Sequence, residues 1–191
     1  MNNQNVLVVL SGPSGVGKGT LAKLIVEKEK DIALSISCAT RNPRVGEVNG
    51  REYFFISKEE FKKKIENGGF LEYSEHFENY YGTPKDFVLE TLKSKNVLLE
   101  IDVNGGLEVK KNFEKALLIM ILPPSIEEIR KRLIGRGTET EEKINLRMER
   151  IEYELGKKEL YDYSVVNDNL DVCADEIIKI IKIERSKLNE Q

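Results

Sequence analysis

The chain has 191 residues, 30 of them basic and 33 acidic, for a net charge of −3, with 40% hydrophobic and 33% charged side chains. That length can bury a sizeable core as one domain with lobes or insertions. The composition excludes a disordered tail, and no apolar run approaches the roughly 18–20 residues that span a bilayer. A mildly acidic balance lacks the basic footprint of a nucleic-acid-binding surface. Cys38 and Cys173 give neither metal-ligand spacing nor a disulfide framework, and the first residues carry no signal-peptide pattern, so a reducing, cytoplasmic setting is expected. The single histidine, His76, supplies neither a catalytic triad nor a multi-histidine metal site. It is expected as an exposed or hydrogen-bonded loop residue.

Along the chain, short apolar runs alternate with longer helical patterns, which predicts a parallel α/β sheet. A strand is expected at 6–10, a helix at 18–29 and a second strand at 32–37. Residues 37–87 break the alternation: Gly46, Gly50, Gly68, Gly69 and Gly82 punctuate the runs 53–56, 70–73 and 80–81. This predicts a small, mostly β insertion with one helix, started by the capping box Ser57-Lys58-Glu59-Glu60. Strands at 97–101 and 117–122 then flank a helix at 104–114. Ser125-Ile126-Glu127-Glu128, directly after Pro123-Pro124, marks the start of a helix over 126–135. Between 140 and 160, Ile144, Met148, Ile151 and Leu155 share one helical face. A strand at 164–166 and a helix at 172–188 complete the pattern. The charged stretch 130–155, with Gly135-Arg136-Gly137-Thr138, reads as a mobile lid. The core then comprises about 1–36, 88–129 and 156–191, with the insertion at about 37–87 and the lid at about 130–155.

Directly after the first strand stands Gly12-Pro13-Ser14-Gly15-Val16-Gly17-Lys18-Gly19-Thr20, followed by an amphipathic helix. This is a phosphate-binding loop in its required strand–loop–helix context. Its glycines let backbone N–H groups converge on an anion, and the helix N-terminus adds the positive end of its dipole. Lys18 can reach the outer phosphates of a nucleotide. Gly19 occupies the place where the consensus has Ser or Thr, so magnesium is expected on nucleotide phosphates and water, with no protein ligand named.

Arginine placement carries a second signal. Only nine of the 30 basic residues are arginines, yet Arg41, Arg44 and Arg51 fall together, as do Arg130, Arg132, Arg136, Arg147 and Arg150. The planar fork of arginine grips phosphate oxygens bidentately, which lysine cannot do. Both clusters coincide with the two irregular regions, which predicts two arginine-bearing flaps closing over phosphates. For Arg130 and Arg150 ordinary pairing along a helix face is the competing reading.

The segment 37–53, Ser-Cys-Ala-Thr-Arg-Asn-Pro-Arg-Val-Gly-Glu-Val-Asn-Gly-Arg-Glu-Tyr, resembles the signature of guanylate kinases. Asn79-Tyr80-Tyr81-Gly82-Thr83, Gly135-Arg136-Gly137-Thr138-Glu139 and Val166-Asn167-Asp168 resemble that family in the same order, from about residue 5 to 185. The resemblance implies a P-loop NTPase-type parallel sheet flanked by helices, with a small mixed α/β GMP-binding insertion and a helical lid. It implies transfer of a phosphoryl group from MgATP to GMP, and to dGMP, with no cofactor besides magnesium. Carried over residue by residue, Arg41, Arg44, Tyr53 and Tyr81 would hold the GMP phosphate, and Ser37, Glu72, Thr83 and Asp102 would read guanine. Lys18, Arg132, Arg136 and Arg147 would line the transferring group, joined there by Arg41, and Asn167 would lie near adenine. ATP and GMP are the expected partners, without nucleic acid or membrane; monomer and homodimer both stay open.

Guanine presents donors at N1 and N2, which suits carboxylates such as Glu72 and Asp102; adenine would leave them unpaired. Thr83 precedes Pro84 and is equally expected as a helix N-cap. Glu100 is placed either to organise hydrated magnesium or to pair with Lys18. Tyr80 and Cys38 read as packing residues. Two other functions compete: a catalytically silent guanylate-kinase-like protein-binding module, and a nucleoside monophosphate kinase of another base preference.

Overall fold

The computed structural model describes residues 4–76, 78–135 and 141–190. Its chain order is β1 (Leu7–Ser11), α1 (Lys18–Lys28), β2 (Ile32–Leu34), β3 (Cys38–Ala39), β4 (Phe54–Phe55), α2 (Lys58–Glu66), β5 (Phe70–His76), β6 (Asn79–Pro84), α3 (Lys85–Leu92), β7 (Asn96–Glu100), α4 (Val103–Asn112), β8 (Leu117–Leu122), α5 (Ile126–Gly135), α6 (Glu141–Leu155), β9 (Tyr163–Val166) and α7 (Leu170–Glu190). Five strands form a parallel sheet in the order β2-β7-β1-β8-β9, and four form a second sheet, β4-β3-β6-β5. No helix among the described residues is long and apolar enough to cross a membrane.

In β1 every residue is buried because helices cover both faces of the sheet. Strand alternation sends Val8 and Leu10 into the apolar cluster shared with α1, α6 and α7. Leu7 and Val9 point the other way, into the cluster built with α3 and α4. The second sheet has its own small core of Cys38, Phe61 and Phe70. There Phe61, fully buried on α2, stacks on Phe70 at 4.3 Å and on Tyr80 at 5.4 Å between ring centroids. Truncating Phe61 to Ala would cost roughly 3–5 kcal/mol. Tyr80 and Cys38 are thus packing residues, and burial pushes the Cys38 thiol up to about 11. The capping box at Ser57 is complete: its hydroxyl accepts from the Glu60 amide, and the Glu60 carboxylate accepts from the Ser57 amide.

Several expected elements shift. The strand expected at 32–37 splits, because the chain leaves the core sheet after Ser35, whose amide still bonds to the Leu98 carbonyl, and enters the second sheet at Cys38. The long helix expected at 140–160 ends at Leu155, where Gly156 follows and a 3-10 turn at Lys158–Leu160 takes over. Helix α5 runs across residue 130, so the expected border between core and lid falls inside one helix. His76 closes β5 opposite Asn79, placing its backbone in a hairpin strand; the expected loop position is corrected. Thr83 is not the cap of α3; that position falls to Pro84, and the threonine hydroxyl has another partner.

Candidate active site

The phosphate loop follows β1 and ends at Gly17, which caps α1 in the left-handed conformation with φ 98°. A Cβ there would lie 2.8 Å from Asn167 Nδ2, so only glycine fits both the dihedral and the space. Asn167, buried just beyond β9, donates that amide to the Val16 carbonyl at 2.8 Å. It therefore braces the loop backbone. Lys18 Nζ closes over its own loop, donating to the carbonyls of Gly12 at 2.6 Å and Pro13 at 3.3 Å. Burial lowers the lysine's pKa, against the opposing pull of Glu100, Glu154 and Asp102. From α6, Arg147 Nη1 donates to the Ser14 hydroxyl at 3.4 Å, joining the expected lid to the loop.

Three of the four residues expected to read the base, Glu72, Thr83 and Asp102, converge. Glu72 on β5 and Thr83 on β6 are paired neighbours in the second sheet, and the Thr83 hydroxyl donates to Glu72 Oε1 at 2.6 Å. Asp102 caps α4, accepting from the Gly105 amide at 2.8 Å. A Cβ at Gly105 would stand 3.2 Å from Glu72 Oε2 and 3.5 Å from Asp102 Oδ1. Gly105 thus marks the place where the carboxylate of β5 meets the carboxylate that caps α4. Burial pushes the Glu72 carboxyl up to about 7; the Thr83 hydroxyl pulls it back and the charge of Asp102 adds to the rise. Ser37 is half-buried between the two sheets, its carbonyl accepting from the Phe54 amide.

A third group gathers at the phosphate end of the insertion. The Arg41 guanidinium lies over the rings of Tyr53 at 5.1 Å and Phe55 at 5.5 Å, and the Tyr81 hydroxyl interacts with it. Tyr53 and Tyr81 stand edge to face at 6.1 Å. Arg44 sits exposed on the same loop, with its amide held by Glu47.

Not every candidate is placed at the site. The backbone of Arg132 belongs to α5, but its side chain and all of Arg136 lie outside the described residues. Arg51, grouped with the phosphate arginines by sequence, instead folds its own loop, pairing with Glu52 at 2.6 Å and with the Gly46 carbonyl. Arg130 pairs at 4.0 Å with Glu141, between helices. Arg150 makes the expected helical pair with Glu154 at 3.0 Å, and also faces Asp102 at 3.7 Å. Sequence reading missed that second contact, as it missed Gly105 and Glu47. The Gly-Gly pair that begins three residues after Asp102 was the one available signal, for Gly105.

The guanylate kinase family model matches residues 4–184 of this sequence. The chain belongs to the guanylate kinase family. It is 50% identical over 99% of its length to a guanylate kinase of Caldanaerobacter subterraneus subsp. tengcongensis, covering 92% of that protein. It is 48% identical over 98% of its length to a guanylate kinase of Clostridium perfringens, covering 88% of that one. Among solved structures it is similar to a guanylate kinase from Anaplasma phagocytophilum, with a TM-score of 0.76, 33% identity, and coverage of 96% of this chain and 88% of the other.

Proposed function

We propose that the chain phosphorylates GMP with ATP by direct phosphoryl transfer, and that the three clusters divide the work. It is an enzyme of its family's type, a guanylate kinase. The observation that carries the base preference is the meeting of Glu72 and Asp102 over Gly105, at the end of the sheet that also holds the phosphate loop. Ligands gather beyond the carboxyl ends of strands in such sheets. Two acceptors placed together match the N1 and N2 donors of guanine. The single Thr83 proton goes to Glu72, so Thr83 orients the carboxylate and the Ser37 hydroxyl is the donor for O6 or N7. Nothing in this pair of acceptors senses the ribose 2′-hydroxyl, so dGMP is accepted as well.

Arg41, Arg44, Tyr53 and Tyr81 hold the GMP phosphate. Lys18, Arg41 and Arg147 face the transferring group, a set to which the family resemblance adds Arg132 and Arg136, with the backbone of residues 12–20 cradling ATP and Asn167 fixing that backbone. Such chemistry needs alignment and charge neutralisation and no covalent nucleophile. Excluding water from the cleft beside α6, which Ile144, Met148 and Ile151 anchor in the core, lets GMP receive the phosphoryl group.

Magnesium fits this site as a hydrated ion. No group of three or more His, Cys, Asp or Glu among the described residues forms a metal cage. Glu100, however, lies 3.5 Å from where a Gly19 Cβ would be, and Thr20 is exposed beside it. These hard oxygens suit the water shell that magnesium keeps. When bound to ATP, the ion would neutralise phosphate charge during transfer.

A coupled assay of ATP with GMP, AMP, UMP and dTMP in parallel tests the reading. GMP should exceed AMP in kcat/KM by roughly 10⁴-fold, because adenine leaves the buried acceptors unpaired. Comparable use of AMP would overturn it. Lys18→Met should keep the melting temperature and lose most turnover; a soluble, folded parent with no GMP turnover at all would favour the silent binding module.

A further inference from the structure

We propose that Glu47 is a positioning residue for GMP: it takes one edge of the Arg41 guanidinium and so presents the other edge to the substrate phosphate. The inference rests on the reading of Arg41 as a phosphate binder.

The contact is bidentate. Arg41 Nη1 donates to Glu47 Oε2 at 2.6 Å and Nη2 donates to Oε1 at 2.8 Å. Nη1 gives its other proton to the Asn42 carbonyl at 3.0 Å. A guanidinium has five N–H donors in a fixed fork. Glu47 and Asn42 commit three of them, and the Tyr81 hydroxyl also lies against the guanidinium; the other two N–H donors, on Nε and Nη2, are parallel neighbours on one edge. That pair matches two oxygens of a phosphate. The rings of Tyr53 and Phe55 hold the guanidinium plane, so the edge has a fixed direction.

Glu47 is itself held. Its Oε2 accepts the Arg44 amide at 2.8 Å, and its own amide donates to the Arg44 carbonyl at 3.0 Å, closing the turn that carries both arginines. The two side chains are only 14% and 18% exposed, unlike a solvated surface pair. The Arg41 hydrogen bond, and then the Arg44 amide, hold the Glu47 carboxyl down at about 2, so it stays charged throughout the working range. A carboxylate that merely stood in for phosphate would have to leave when GMP arrives. Here it occupies a different edge and can remain, cutting the cost of ordering Arg41 on binding.

The test compares Glu47→Gln, Arg41→Lys and the double variant with the parent, measuring kcat, KM for GMP, and inhibition by guanosine, which has the base but no phosphate. Glu47→Gln should raise KM for GMP roughly tenfold, the loss of one charge-assisted bidentate contact, with kcat and guanosine inhibition nearly unchanged. Because Glu47 acts through Arg41, the double variant should be no worse than Arg41→Lys alone. An unchanged or lowered KM in Glu47→Gln, parallel weakening of GMP and guanosine, or additive losses in the double variant would each overturn the proposal. Should Arg41→Lys itself leave KM for GMP unchanged, the phosphate reading falls and takes the proposal with it. A strong effect of Arg41→Lys beside a silent Glu47→Gln removes the proposal alone.

Discussion

On the proposed base reading, Glu72 links stability to substrate choice in one buried carboxyl. It is 6% exposed, its hydrogen-bond partner is a neutral hydroxyl, and burial pushes its carboxyl up from 4.5 to about 7. To accept the guanine donors it must be ionised. Below pH 7 the unliganded protein holds the proton and must release it on binding, so KM for GMP should rise about tenfold per unit as pH falls beneath 7 and flatten above it. A steady-state series from pH 5.5 to 8.5 at saturating ATP checks this; a flat KM would show that Glu72 does not meet the base as a carboxylate. The same shift acts on folding. A carboxyl whose folded pKa lies above its unfolded one adds stability below the unfolded value, and that stability is lost as pH rises through the folded value. At pH 8 the unliganded protein therefore carries a strained carboxylate costing about 3 kcal/mol. Glu72→Gln keeps an acceptor for Thr83 and has nothing to ionise, so it should melt several degrees higher at pH 8 and nearly level at pH 5. Its kcat/KM for GMP should fall by roughly 2–4 kcal/mol, because an NH₂ group now faces guanine donors. Calorimetry beside the kinetic series reads both effects.

The start of α4 separates a contact made for the fold from one made for the site, one residue apart. A Cβ on Gly106 would meet the Tyr161 hydroxyl at 2.4 Å and the Ser11 hydroxyl at 2.8 Å. Tyr161 is buried and donates to the Val103 carbonyl, while Ser11 donates to the Asp102 carbonyl, so these hydroxyls fix the helix start and cannot move aside. Gly106→Ala should cost roughly 1–3 kcal/mol and lower the melting temperature by several degrees. A Cβ on Gly105 instead stands against Glu72 and Asp102, at distances that side chains can accommodate. Gly105→Ala also gains helix propensity of roughly 1 kcal/mol. It should melt like the parent while kcat/KM for GMP drops at least tenfold; equal melting losses in the two variants would erase the distinction. Neither role was legible beforehand. The strands of the core sheet were, since burial on both faces leaves continuous apolar runs such as Leu117–Leu122. The phosphate loop was too, because its glycines and Lys18 are adjacent in sequence. The insertion was harder: Cys38–Ala39 and Phe54–Phe55 are two-residue strands, too short to show a period, and their pairing depends on partners elsewhere in the chain. The pairing of Arg41 with Glu47 was hidden for a related reason, since a loop has no period from which to infer which side chains face each other.

Across the chain as one object, the cleft gathers more negative charge than its substrates favour. Glu100, Asp102 and Glu154 all act on Lys18, and the two substrates add several phosphate charges to the same place. Arg150 of α6 already offsets part of this charge by pairing with Asp102 and Glu154, and the same helix brings a second cation within reach of the phosphate loop. Arg147 lies 133 positions from Ser14 in sequence, yet its Nη1 reaches that hydroxyl at 3.4 Å in the phosphate loop. The half-buried α6 backbone is anchored by Ile144, Met148 and Ile151 in the core cluster around α1 and α7, so the arginine is carried by a rigid element. Its guanidinium contacts a neutral hydroxyl of the loop, which makes the interaction weak before nucleotide binds and strong once charge develops on the transferring group. Arg147→Met should consequently lower kcat by roughly 10²–10³-fold, the usual loss when one preorganised donor to the transition state is removed. KM for GMP should stay within a few-fold, because the proposed GMP contacts Arg41, Glu72 and Asp102 lie on other elements. The melting temperature should change little, since the aliphatic stem of Met keeps the packing along α6. Single-turnover measurements at saturating ATP and GMP isolate the transfer step. A normal transfer rate with raised KM for ATP would make Arg147 a ground-state nucleotide contact and move the burden of the transition state to Lys18 and the remaining arginines.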